Sequence, residues 1–206
     1  MTRSKAAPPE TREVVSPQGH YSLVLPGTWA AIPLATETAM RKRIVALVKR
    51  QVGTGDRLVR VRRATGDELL RTAQKARANG AQSFLMSLEI LPGIPFPAAL
   101  ISSDRAWPGG ARAADADLAA ALAVDFPGAE QLRHRMGPVA RSSEIGLEKV
   151  GETQTVSLLL EYWVPYPDGR GLLNFTISAP MASDPELYTL LFDALIDSLT
   201  WTGVRA

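Results

Sequence analysis

Residues 161–180 read EYWVPYPDGRGLLNFTISAP. Two runs rich in strand-forming residues flank PYPDGRG, and its two prolines and two glycines fit neither a helix interior nor a strand interior. Pro-Asp-Gly is a turn signature, so the stretch predicts a β-hairpin. Just upstream, TVSLLLEYWV (155–164) is the strongest strand pattern in the chain. Val156, Leu158, Leu160, Tyr162 and Val164 fall on one face, and Leu159 and Trp163 on the other. Apolar side chains on both faces place this strand inside its sheet. Its partner LLNFTISA gathers Leu173, Phe175, Ile177 and Ala179 on one face. The question raised by the hairpin is whether it floors an active site or is scaffold.

The chain on either side supplies more strands and several helices. In HYSLVLPGTWAAIPL (20–34), Tyr21, Leu23 and Leu25 alternate, Pro26-Gly27 turns the chain, and Trp29 and Ile32 fold back onto the core edge. TETAMRKRIVALVKRQVG (36–53) is helical: Met40, Ile44, Leu47 and Val48 form a stripe, Thr36 caps it and Gly53 ends it. LVRVRR (58–63) alternates and predicts a short strand or extended link. TGDELLRTAQKARANG (65–80) opens with a Thr65–Glu68 capping box, carries the stripe Leu69, Ala73 and Ala76, and stops at Gly80. AQSFLMSLEIL (81–91) predicts a strand with Phe84, Met86, Leu88 and Ile90 on one face and Leu85 and Leu91 on the other. A short strand follows near 98–104. Next comes a helix from Asp115 or Asp117 to before Pro127, then two strands over 130–146 broken at Gly137-Pro138. The closing helix has a Ser183–Glu186 capping box, Pro185 in its first turn, and the stripe Leu187, Leu190, Leu191, Ala194, Leu195 and Leu199. Hairpins and helices are interspersed without regular βαβ alternation. The fold class is therefore α+β, a mainly antiparallel sheet flanked by helices. The polar, proline-bearing residues 1–18 read as a flexible lead, and 19–206 as one α+β domain.

The bulk numbers narrow the class. Of 206 residues, 46% are apolar and 21% charged, enough to build a sizeable core. There is no cysteine, which excludes disulfides, a thiolate nucleophile and Cys-ligated zinc and fits a reducing interior. The N-terminus lacks an apolar core of signal-peptide length, and uncharged stretches such as 153–160 are too short to span a bilayer. The expected location is the cytoplasm. Net charge is only +2, but residues 1–103 carry +8 and residues 104–206 carry −6.

Three segments together carry a family likeness: YSLVLPGTW, YWVPYPDGRGLLNFTISAP and LYTLLFDALIDSLTW. A first strand ending in Pro-Gly-x-Trp, a late hairpin, and a helix with a central Phe-Asp and a terminal Trp resemble the Mog1/PsbP-like fold. More narrowly, the chain is similar to actinobacterial proteins of that fold, some of them associated with type VII secretion. The resemblance implies an αβα sandwich and a non-enzymatic binding or assembly role, and it transfers no functional residues.

The residues themselves offer little chemistry. There is no G-x-S-x-G, P-loop, G-x-G-x-x-G or H-E-x-x-H. Of two histidines, His20 sits at the lead's boundary and His134 between two arginines, where a neutral ring is favoured. Asp115, Asp117 and Asp125 read as charges around a helix rather than metal ligands. The reading has no catalytic residue, no metal and no cofactor. The basic segment is the leading candidate: nine Lys/Arg and one acid, Asp56, lie between Arg41 and Arg63. No aromatic residue lies between Trp29 and Phe84, so base stacking has no platform there and nucleic acid is disfavoured. Trp107, in the loop sequence DRAWPGG, is expected to be an exposed anchor. The partner surface expected is Arg41, Lys42, Arg43, Lys49, Arg50, Arg60, Arg62 and Trp107, set against an acidic protein partner. The alternatives are a small-ligand site between sheet and helices, and weak nucleic-acid binding through 41–63.

Overall fold

The computed structural model describes residues 11–53, 55–113, 116–150, 153–180 and 182–202. In chain order the elements are β1 (Thr11–Val15), β2 (Tyr21–Pro26), β3 (Thr28–Ala31), α1 (Glu37–Val52), α2 (Val59–Ala78), β4 (Ala81–Leu91) and β5 (Ile94–Arg105). They continue with α3 (Leu118–Asp125), β6 (Glu130–His134), β7 (Gly137–Val150), β8 (Thr153–Pro165), β9 (Leu172–Pro180), α4 (Pro185–Asp197) and β10 (Thr200–Trp201). A seven-stranded antiparallel sheet runs β3-β4-β5-β9-β8-β7-β6, and a three-stranded sheet runs β1-β2-β10. The fold is α+β, with a sheet flanked by helices.

Period-two alternation sends successive side chains to opposite faces of the large sheet. On one face, Leu158, Leu160 and Tyr162 of β8 and Leu173, Phe175 and Ile177 of β9 are buried under β2 and α4. On the other, Phe84 and Leu88 of β4 pack against Met40, Ile44 and Val48 of α1 and Leu70 and Ala73 of α2. A third cluster joins Trp107, Leu122 of α3, Ala140 of β7 and Leu172 of β9, with Trp163 packed against it. The central hairpin thus lies as its sequence indicates: β8 and β9 are interior strands, and Phe126 stacks on Trp163 with ring centroids 4.5 Å apart.

Five details differ from the sequence reading. Residues 11–15 are not a flexible lead: β1 pairs with β2 along its length, and Ser22 Oγ donates to Glu13 at 2.7 Å. Composition is blind to such main-chain pairing. Residues 1–10 of that lead lie outside the described residues. LVRVRR is helical rather than extended: a short 3-10 turn, Asp56–Leu58, runs into α2, and Thr65 lies within the helix instead of capping it. Val59 and Val61 are half exposed, so their alternation was not a sheet's buried face. Leu70 rather than Leu69 is the fully buried leucine of α2. In β4 a register shift between Ser87 and Glu89 turns Ile90 towards the β2 side, away from Phe84 and Leu88.

The fifth difference is the facing of α4. Asp184, not Ser183, caps it, accepting from the Leu187 amide at 3.1 Å. Leu187 and Leu190 are 60% and 66% exposed, while Phe192, Leu195 and Ile196 are buried. Asp193 sets this rotation. Its carboxylate accepts from Tyr162 Oη at 2.8 Å and from Arg141 of β7, which also pairs with Glu130. Phe192 and Tyr188 meanwhile flank Phe96 of β5, with centroids 5.9 and 5.2 Å away.

The Tyr166–Gly171 turn closes the central hairpin. Tyr166 donates to Gly171 O at 3.0 Å and Gly169 donates to Tyr166 O at 2.9 Å. Gly169 has φ +69°, and a Cβ there would stand 3.0 Å from Ala113 O. Its own carbonyl accepts from Trp107 Nε1 at 2.9 Å and from the Arg112 amide at 3.0 Å. The turn is a seat for the 107–113 loop.

Gly27, between β2 and β3, is the tightest approach in the fold: φ is +74°, and a Cβ would fall 2.1 Å from Glu89 O. Gly27→Ala is expected to lower stability by at least about 2 kcal/mol, seen as a lower urea midpoint. A loss under about 0.5 kcal/mol, the scale of an ordinary surface change, would mean that this crossing relaxes freely.

Candidate functional site

Helices α1 and α2 pack against each other as a helical hairpin above β4. Thr36 caps α1 by accepting from the Ala39 amide at 3.2 Å, and Gly53 ends it. Along α1, Arg41, Val45 and Lys49 recur every four residues and so share one side. Reading 59–78 as one helix places Arg62, Arg63, Gly66, Asp67 and Leu70 opposite them. Between the two sides runs a groove of about 450 Å³. Its floor is apolar, from Ile44, Val48 and Leu70, with Val45 on the wall. Its rim carries Arg41, Lys49, Arg62 and Arg63 against the single acid Asp67.

The eight residues expected from sequence separate into distinct groups. Arg41, Lys49 and Arg62 line the groove. Arg41 also pairs with Glu37 at 3.1 Å, an exposed one-turn pair worth a few tenths of a kcal/mol at about 0.3–0.5. Arg62 donates to Gly53 O at 2.9 Å and Gly55 O at 2.8 Å, so it also holds the connection between the helices. Lys42 lies beside the groove, against Glu37, Thr38 and Val45. Arg43 sits on the other flank of α1 and donates to Ala31 O at 3.0 Å. Arg50 and Arg60 are exposed and outside the groove lining.

Trp107 departs furthest from expectation. It is 3% exposed, packed beside Leu122 and Leu172, with Nε1 bonded to Gly169 O and the Arg112 guanidinium 5.3 Å from its ring centroid. A loop sequence conceals this burial because the ring is covered by α3 and the hairpin turn, both distant in sequence. The reading also missed Arg63 and the apolar floor, which become legible once 58–63 is taken as helix.

His134 Nδ1 lies 4.0 Å from Asp197 Oδ1, and Asp197 also receives the Arg135 amide at 2.8 Å, so the carboxylate ties β6 to the end of α4. Nδ1 of His134 has no hydrogen-bond partner among the described residues, and burial followed by the charge of Asp193 pushes the Tyr162 phenol up. His20 is exposed at the start of β2. Asp117 caps α3, accepting from Ala119 and Ala120, and Asp125 pairs with Arg112 at 2.6 Å. Asp115 lies outside the described residues, and no group of three metal-ligating side chains occurs among them. No described helix is long and apolar enough to cross a membrane.

Strand order decides how charge is laid out. The positive first half of the chain supplies β3, β4, β5 and both groove helices. The negative second half supplies β9, β8, β7, β6 and α4. The seam is the β5–β9 pairing; the basic excess of the first half lies in α1 and α2 over β4, while β1 and β2 from that half lie on the α4 side. No protein-family model matches this chain, and no curated protein is detectably similar to it.

Burial lowers the pKa of His134 below its ordinary 6.5, opposed by Asp197 and Asp193. As pH falls through 6.5, the unfolded chain takes up a proton here that the folded chain resists, so stability falls. His134→Asn is expected to flatten that decline in urea titrations between neutral and mildly acidic pH. An unchanged decline would mean that the ring titrates freely in the fold.

Proposed function

We propose that this chain is a non-catalytic binding or assembly domain whose α1–α2 groove takes an acidic, amphipathic segment of a protein partner. The observation that carries the reading is the groove itself. Four cations stand over an apolar floor with one acid among them, so a ligand with acidic edges and an apolar stripe is complementary in both respects. Lys49 and Arg63 make no ion pair or side-chain hydrogen bond among the described residues, which leaves both available to a partner. The likeness of the first strand, late hairpin and closing helix to Mog1/PsbP-like proteins supports an assembly role. The finer form of the proposal is a partner belonging to a type VII secretion pathway, met in the cytoplasm. Nucleic acid is the weaker reading, since no aromatic ring lines the groove to stack on bases.

The test is the double reversal Lys49→Glu/Arg63→Glu. Both changes are on the surface, so Tm should stay within about 2 °C. The protein retained by wild-type chain from nuclease-treated lysate of the native host should bind the variant at least about tenfold more weakly. Wild-type affinity should fall as salt rises. Equal affinity would end the groove reading, and retention that nuclease abolishes would shift it to nucleic acid.

A further inference from the structure

A second cavity, of about 440 Å³, lies away from the helix groove, at the meeting of β1–β2, the start of β4 and the segment after β3. Its volume is in the range of small-molecule sites, about 300–1,000 Å³. Val14, Leu23, Ile32, Leu34 and Leu85 make most of its walls apolar. The polar lining includes the Ser83 and Ser16 hydroxyls, the Arg77 guanidinium and the Gln82 amide.

Ser83 is the first. Tyr21 Oη donates to Ser102 Oγ at 2.7 Å, and the Ser102 and Ser83 hydroxyls are 2.6 Å apart. Either hydroxyl of the Ser102–Ser83 pair can donate, and Ser83 also reaches the Tyr21 hydroxyl, so this network of three hydroxyls meets the cavity wall at Ser83. Ser16 is similar: its Oγ accepts the amides of His20 at 2.9 Å and Tyr21 at 3.3 Å, leaving its O–H to donate. Arg77, in the last turn of α2, also lines the cavity and makes no ion pair among the described residues. Gln82 also lines this side; its Oε1 is a buried acceptor without a hydrogen-bond partner among the described residues, so it favours a donor and the anion is assigned to Arg77 and the serine hydroxyls instead.

We propose that this cavity binds a small aliphatic carboxylate, with its chain between β1 and β4 and its carboxylate towards Arg77 and the Ser83 hydroxyl. An apolar body fits the walls, and an anionic end is the one polar group that uses a guanidinium and hydroxyl donors together.

Decanoate is the probe, with decanol as its uncharged counterpart, each titrated calorimetrically into the full chain. Decanoate is expected to bind saturably at one site and to raise Tm. Arg77→Gln should weaken decanoate about tenfold and leave decanol unchanged, since it removes a charged hydrogen bond and nothing else. Val15→Trp, at an exposed residue on the cavity wall, should fill the space and abolish binding of both. The Lys49→Glu/Arg63→Glu variant should bind decanoate like wild type. Loss of binding in that variant would place the anion in the helix groove and overturn the assignment. So would no saturable binding, decanoate affinity no better than decanol, or indifference to Arg77→Gln. The Arg77→Gln comparison stands even if Val15→Trp fails to fold.

Discussion

The burial of one face of β8 and β9 under β2 and α4 is the constraint on which the rest of this structure depends. Leu158, Leu160, Leu173 and Phe175 are each no more than 1% exposed, and each buried side chain of this size is worth roughly 1.5–3 kcal/mol of transfer free energy. A sheet face of that kind needs a cover matched in shape. α4 lies on it in one rotation because Asp193 must meet Tyr162 and Arg141 while Phe192 meets Phe96. With α4 placed, β10 follows at its end and pairs with β2, Ser198 Oγ accepts the Val24 amide at 2.9 Å, and β1 joins β2 on the other side. The small sheet is thereby built outward from the helix that covers the large one.

That order of dependence explains which parts of the fold were legible. The β8–β9 hairpin declared itself because its alternation is driven by burial, and the turn between has residues that fit little else. Helix α1 did so for the same reason: its stripe of Met40, Ile44, Leu47 and Val48 is the buried set. The failures fall where local pattern and burial disagree. Val59 and Val61 alternate with arginines in the exposed first turn of α2, so a strand-like period carried no sheet. In α4 nearly every second or third residue is apolar, so the sequence admits several stripes, and the half-buried Asp193 carboxylate chose among them. β1 is held by main-chain pairing, which side-chain composition does not reveal. Trp107 is covered by elements far away in sequence, and a six-residue window around it reads only as a loop.

The candidate groove shows the same division between fold and function within one side-chain type. Arg62 spends its guanidinium on the carbonyls of the α1–α2 connection, and Arg43 on the end of β3, so neither is wholly free for a partner. Lys49 and Arg63 stand on the groove rim without such duties. A run of basic residues in sequence is therefore a mixture of fasteners and free charge, and only the helical geometry separates them.

The arrangement of strands has one further effect. Because β5 and β9 form the seam between a positive and a negative half, and the basic helices α1 and α2 lie on the opposite face of the large sheet from α4, formal charge is separated both across the strands and through the sheet. A body of this kind experiences torque in the field of a charged neighbour before any surfaces touch, over a range of about 8–10 Å at physiological salt. It is turned groove end first towards a negative surface and α4 end first towards a positive one. Two like molecules at low ionic strength would favour head-to-tail approach, even though their total charge is close to neutral.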